Sequence, residues 1–271
     1  YKNFKNLKNI FLKFLNKTPL IGKSFICIDD YEIEKLSKKI KNKNFYTYGF
    51  SKKADFQILN PVYNKDYSIF DLKISIPGEK KRTIKKIKLN LIGSHNILNS
   101  VGAISLCIHI GIKIQIIKNS LKKFSGIQRR LTKRFTFKER EFFDDYAHHP
   151  TEIKSVLKSL KLTSNGRKII SVFQPHRYSR LKFLNKDFSS SFKNSDLVVL
   201  CPVYAAGEKI DKKYNPMTFA KSITQYSNTQ VVLINGEKDL NNFFKKNLIS
   251  NEIVICMGAG SISKWLGEIR L

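Results

Sequence analysis

Residues 168–201 read KIISVFQPHRYSRLKFLNKDFSSSFKNSDLVVLC. The apolar run 168–173 stops at Gln174-Pro175-His176-Arg177-Tyr178-Ser179-Arg180. Helical spacing follows over 181–193, and 197–201 is a second apolar run. Two short apolar runs separated by an amphipathic stretch make a β-α-β unit. The rhythm continues toward the C-terminus. Helix 217–226, strand 230–235, helix 237–247 and strand 252–256 follow in turn. Upstream, strand-like runs at 131–137 and 141–145 lead into a helix over about 151–162. Such alternation predicts a doubly wound parallel sheet in an α/β fold.

The first half reads differently. Phe4, Leu7, Phe11, Phe14 and Leu15 follow helical spacing, and Pro19 and Gly22 close that helix. Strand 24–29, a helix carrying Ile33, Leu36 and Ile40, and strand 45–50 come next. Residues 55–76 and 84–92 read as β-strands, with turns expected at Pro61 and Pro77-Gly78. Helices over about 96–109 and 113–124 end near Gly126. A boundary at 125–130 divides the chain into domains 1–125 and 126–271.

In doubly wound sheets, ligands bind beyond the C-terminal ends of the strands. The polar segments of the second half fall there. They are Asp144-Asp145-Tyr146-Ala147-His148-His149-Pro150, Gln174 to Arg180, Pro202 to Glu208, and Met257 to Ser261. Asp145 suits a ribose hydroxyl or a metal-bound phosphate oxygen. His148 and His149 suit a carboxylate or a proton transfer near neutral pH. Pro150 suits a first helical turn, so either His149 or a neighbour caps the helix. Arg177 and Arg180 share a face if a helix begins there, and with His176 they suit a carboxylate or phosphate. Arg129 and Arg130 form a second pair in a chain where arginine is scarce. In the first half, Ser94-His95-Asn96-Ile97-Leu98-Asn99 opens a helix, and Asn96 and Asn99 have the chemistry to read an adenine edge.

Charge and cysteine add limits. The 271 residues carry 50 Lys and Arg against 21 Asp and Glu, a net charge of +29. Lysine dominates and is spread along the chain, so composition explains the charge better than a nucleic-acid surface, which clusters charge and favours arginine. Cys27, Cys107, Cys201 and Cys256 are far apart and lack zinc spacing, as expected of buried thiols in a reducing cytoplasm. No run of about 18 apolar residues marks a spanning helix. Gly22-Lys23-Ser24 lacks the earlier glycine of a phosphate-binding loop, and a strand follows it. The chain opens on Tyr1 and carries methionine only at 217 and 257. It is therefore expected to be a fragment or a processed product.

Taken in order, five segments resemble the Mur ligases. They are Ser94 to Asn99, Gly126-Ile127-Gln128-Arg129-Arg130, Asp144 to Glu152, Phe173 to Arg180, and Tyr204-Ala205-Ala206-Gly207-Glu208. The resemblance implies the C-terminal half of a Mur ligase central ATPase domain, followed by a Rossmann-like doubly wound C-terminal domain. It implies that the phosphate-binding loop, the metal ligands and a UDP-sugar domain lie before Tyr1, so that no metal ligand falls within these residues and this piece is inactive alone.

The implied reaction is ATP-dependent and ADP-forming, with Mg²⁺, in cytoplasmic peptidoglycan precursor synthesis. UDP-N-acetylmuramate and L-alanine are the implied substrates, with no nucleic-acid or membrane partner. By resemblance, His95, Asn96 and Asn99 contact adenine, and Arg129 and Arg130 face phosphate. Asp145 contacts the nucleotide. Tyr146, His148, His149, His176, Arg177 and Arg180 surround the incoming alanine and the muramyl carboxylate. Arg130, Asp145 and His148 are the implied catalytic residues. Two alternatives stay open: a family member that adds a preformed tripeptide to the same sugar, and a basic nucleic-acid-binding protein.

Overall fold

The computed structural model describes residues 4–270. The chain divides into two compact units, one ending at Ser125 and one beginning at Gly126.

The first unit contains α1 (Phe4–Asn16), β1 (Ser24–Cys27), α2 (Tyr31–Ser37), β2 (Phe45–Gly49), β3 (Phe56–Tyr63), β4 (Ser68–Ile74), β5 (Arg82–Leu89), α3 (Ser94–His109) and α4 (Ile114–Lys123). Its sheet runs β1-β2-β3-β4-β5. The first three strands are parallel, and β3, β4 and β5 form an antiparallel meander. Ile97, Val101 and Ile104 of α3 bury one apolar stripe against Phe56, Ile58, Phe70, Leu72, Ile87 and Leu89.

Two expectations for this unit need correction. Helix α2 stops at Ser37, and Ile40 packs just beyond it, buried. Pro61 is not in a turn but inside β3, where the pairing register shifts between Leu59 and Val62. A bulge tolerates a residue without an N–H. The chain reverses later, where Asn64 N–H bonds Tyr67 O at 2.9 Å.

The second unit contains β6 (Thr132–Phe137), β7 (Arg140–Asp145), α5 (Pro150–Thr163), β8 (Ile169–Phe173), α6 (Tyr178–Phe183), α7 (Asn185–Ser189), β9 (Leu197–Leu200), α8 (Pro216–Ser227), β10 (Gln230–Leu233), α9 (Glu237–Asn247), β11 (Ile253–Met257) and α10 (Ile262–Glu268). The sheet order is β10-β9-β8-β11-β7-β6. Strands β7 to β11 are mutually parallel, and β6 is an antiparallel edge.

Side chains alternate between the faces, as a pleated strand requires. Ile169, Phe173, Ile253, Ile255 and Met257 face α5, α7 and α8. Ile170, Val172, Val254 and Cys256 face α9 and α10. Both faces are covered, which is why β8 and β11 read as unbroken apolar runs. The helix expected over 181–193 is two short helices, because Leu184 (φ −113, ψ 23) departs from helical geometry. Its first turn already begins at Tyr178. Helix α10 carries no strong sequence period and was not anticipated. All four cysteines are free thiols.

Candidate active site

The strand order brings four polar segments to one edge. Strands β7, β11, β8 and β9 are successive neighbours and parallel, so their C-terminal ends lie side by side. The segments after them are those singled out in the sequence.

Asp144 and Asp145 end β7 and point to opposite faces. Asp144 is fully buried, and its Oδ2 accepts from Ser263 Oγ of α10 at 2.5 Å. Asp145 is 2% exposed. Its Oδ2 accepts from Leu131 N–H at 2.6 Å and its Oδ1 from Ala147 N–H at 2.7 Å. Burial pushes its carboxyl up to about 6, opposed by those two hydrogen bonds and by Arg130. Asp145 is thus a tie between the segment before β6 and the loop after β7. Any nucleotide contact would use the second lone pairs of oxygens already engaged.

The arginine pair divides its work. Arg129 Nη2 donates to Gly258 O at 2.7 Å, and its guanidinium lies 4.7 Å from the Tyr146 ring centroid. Tyr146 N–H in turn bonds Arg129 O at 2.7 Å. Arg130 is more exposed, with Nη1 3.6 Å from Glu152 Oε1.

Glu152 organises the loop above β7. Its Oε2 accepts from His148 N–H at 3.0 Å and His149 N–H at 3.1 Å. His149 is the N-cap of α5, with its side chain accepting from Thr151 N–H in a capping box, and Pro150 follows it. The double histidine therefore splits: His149 caps, and His148 faces the site. His148 Nδ1 lies 2.8 Å from Tyr146 O. A carbonyl only accepts, so in the neutral imidazole the proton is on Nδ1 and the lone pair on Nε2.

His176 has the opposite tautomer. Arg180 Nη1 is 3.2 Å from His176 Nδ1, and a guanidinium only donates, so the His176 proton is on Nε2. Burial, then the Arg180 charge, holds His176 below the ordinary histidine range. The rings form a row. Tyr146 to His148 is 5.0 Å between centroids, His148 to His176 is 5.7 Å, and His176 to Tyr204 is 5.7 Å with the last pair stacked. Arg177 is exposed and adopts φ 70, ψ 131, a conformation that costs a non-glycine residue about 1–3 kcal/mol. Burial, then the neighbouring Arg177 charge, lowers the Arg180 pKa, opposed by Glu152 and Glu208.

Below the row, Gln174 is buried and holds the turn after β11. Its Oε1 accepts from Ile262 N–H at 3.1 Å and its Nε2 donates to Ser261 Oγ at 3.0 Å. Gly260 belongs here because a Cβ would stand 2.5 Å from both Gln174 Oε1 and the Tyr204 ring. Glu152, Gln174, Tyr204 and Glu208 thus shape the site without having been assigned to it from the sequence. Gln174, Tyr204 and Glu208 lie within the strand-end segments singled out in the sequence, and Glu152 stands three residues after the cap, the position of a capping box.

In the first unit, His95, Asn96 and Asn99 begin α3. Asn96 is buried, and its Nδ2 donates to Ile92 O at 2.8 Å, fastening the strand-to-helix turn. Asn99 is exposed. Among the described residues, no three His, Cys, Asp or Glu side chains stand together as a metal cage.

Comparison with known proteins agrees with this architecture. Residues 1–107 match the Mur ligase middle domain, and residues 129–260 match the Mur ligase glutamate ligase domain. The UDP-N-acetylmuramate–L-alanine ligase of Pelagibacter ubique is 49% identical over 269 residues, covering 99% of this chain and 58% of that protein. The protein of the same name from Wigglesworthia glossinidia brevipalpis is 39% identical, covering 96% of this chain and 56% of its own length. The crystal structure of UDP-N-acetylmuramate-alanine ligase from Thermotoga maritima shares the fold, with a TM-score of 0.73 at 22% identity, covering 99% of this chain and 54% of that one. The chain spans a little over half the length of these relatives. With both domain families matched in order along it, the chain belongs to the Mur ligases.

Proposed function

We propose that this chain is part of an ATP-dependent ligase that joins L-alanine to the lactyl carboxylate of UDP-N-acetylmuramate, working in the cytoplasm on peptidoglycan precursors. The carrying observation is the cluster on the β7 and β8 ends: two guanidiniums beside two histidines of opposite tautomer. The name shared by the relatives at 49% and 39% identity supports the same reading.

The residues divide the task. Arg177 and Arg180 hold the carboxylate of the incoming amino acid, which offsets their mutual repulsion. His148 Nε2 takes a proton from the ammonium group, making the amine nucleophilic. His176 Nε2–H donates to an oxygen of the reacting carboxyl group. Arg130 faces phosphate, while Arg129 and Asp145 hold the backbone that carries it. ATP, when bound, activates the lactyl carboxylate as an acyl phosphate with release of ADP. In the first unit, His95 and Asn99 face the adenine, and Asn96 holds the turn that presents them. Among the described residues, no helix is long and apolar enough to cross a membrane.

The test is ADP release by the full-length protein with UDP-N-acetylmuramate and ATP. Release that depends on L-alanine is expected. Release with a tripeptide and not with L-alanine would replace this reading with the peptide-adding one.

A further inference from the structure

The loop after β9 folds back onto the end of β8 at two points. The first is Tyr204. Its N–H donates to Pro175 O at 2.8 Å, Arg177 N–H donates to Tyr204 O at 2.9 Å, and its ring stacks on His176. Ala206 (φ 50) and Gly207 (φ 86) then turn the chain back. The second point is Glu208. Its Oε2 accepts from Ser179 N–H at 3.1 Å, and its Oε1 accepts from the Ser179 hydroxyl. Between the two points sits Arg177, with its strained backbone. Such a conformation persists only where neighbours fix it. Tyr204 O fixes the Arg177 amide, and Glu208 fixes the residue two positions on.

We propose that Glu208 is a positioning residue that aims Arg177 and Arg180, with Tyr204 as the second jaw of the clamp. Arg180 bonds His176, so the clamp also sets that imidazole. The chemistry calls for a carboxylate. Ser179 offers two donors, and a carboxylate has two accepting oxygens, whereas an amide would oppose one donor with its own NH₂. The Ser179 hydrogen bonds hold the Glu208 carboxyl below the usual range, so it stays charged at neutral pH beside Arg177. The functional consequence rests on the reading of this cluster as the seat of the amino-acid carboxylate. The clamp itself does not.

The test has two arms. In the 271-residue chain, ¹⁵N NMR reads the His176 ring nitrogens and the Arg180 Nε–H in Glu208→Gln and Ser179→Ala. Both variants should move both signals, and the double variant should move them no further than Glu208→Gln alone. Unmoved His176 and Arg180 signals overturn the clamp. If Glu208→Gln does not fold, Ser179→Ala reads the same contact. In the full-length ligase, Glu208→Gln should raise the amino-acid KM roughly tenfold while kcat stays within about threefold, the pattern of lost uniform binding. An unchanged KM, or effects of the two substitutions that multiply, would also overturn it. A wild-type protein that does not ligate contradicts the proposed reaction, and the NMR arm then decides the clamp by itself.

Discussion

The His148 and His176 rings lie 5.7 Å apart, although their parent strands β7 and β8 are not neighbours. Strand β11 runs between them. It ends at Met257 and continues through Gly258, Ala259 and Gly260, and Gln174 and Tyr204 pack so closely on the two glycines that a Cβ there would stand 2.8 Å from Gln174 O at Gly258 and 2.5 Å from the Tyr204 ring at Gly260. Two motifs separated in sequence and in the sheet become one site because the strand inserted last ends in glycines.

Gly260→Ala tests that relationship. The added Cβ would sit 2.5 Å from the Tyr204 ring and from Gln174 Oε1. The expected cost is about 1–3 kcal/mol, as for overpacking elsewhere. Urea denaturation of the chain measures it. Wild-type stability would show that Tyr204 swings away freely.

His176 should titrate below the ordinary histidine value, because burial and Arg180 both disfavour its cation. Arg180→Gln removes one of those causes, so the His176 midpoint should rise. The unfolded state binds the extra proton more readily, so this group's stability contribution is lost as pH falls below 6.5. NMR titration of the imidazole reads the midpoint directly.

Asp145 behaves in the opposite sense. Its folded pKa of about 6 exceeds the ordinary value of 3.8. The stability this implies is fully present below 3.8 and is lost as pH rises through 6. The stability difference between wild type and Asp145→Asn should therefore shrink by about 3 kcal/mol at most across that window. Chemical denaturation at pH 4, 5, 6 and 7 measures it, and a flat difference would contradict the assignment.

Arg167 staples the far end of the same sheet. It pairs with Glu141 and donates to Asn251 O, Glu139 O and Glu252 O, each at 3.1 Å. Glu141 also pairs with Lys133, and the two cations hold its carboxyl low despite burial. Arg167→Ala should cost about 2 kcal/mol or more by leaving a buried charge half-paired. It should also move acid unfolding to higher pH, since Glu141 stabilises only while ionised. An unshifted acid transition would remove Glu141 from the account.

The sheet of the second unit was legible because buried parallel strands are continuous apolar runs with polar residues massed at one end. The strand-end segments were legible for the same reason. The ties between them were not. Asp145 binds Leu131 across 14 residues, Glu208 binds Ser179 across 29, and Arg129 binds Gly258 across 129. No local pattern records such partners. Asn96, a residue type suited to an adenine edge, also ties its own turn through Nδ2 to Ile92 O, a partner that residue type alone does not reveal. Pro61 and Leu184 misled because a bulge and a helix break are decided by neighbouring packing and not by propensity.

Arg180 carries the central claim, that the cluster at the β8 end holds the carboxylate of the incoming amino acid. The most direct measurement is the L-alanine dependence of ADP release by full-length wild type and Arg180→Ala. Loss of a charge-assisted pair predicts a KM raised about tenfold or more. An L-alanine KM unchanged by the substitution would contradict the account.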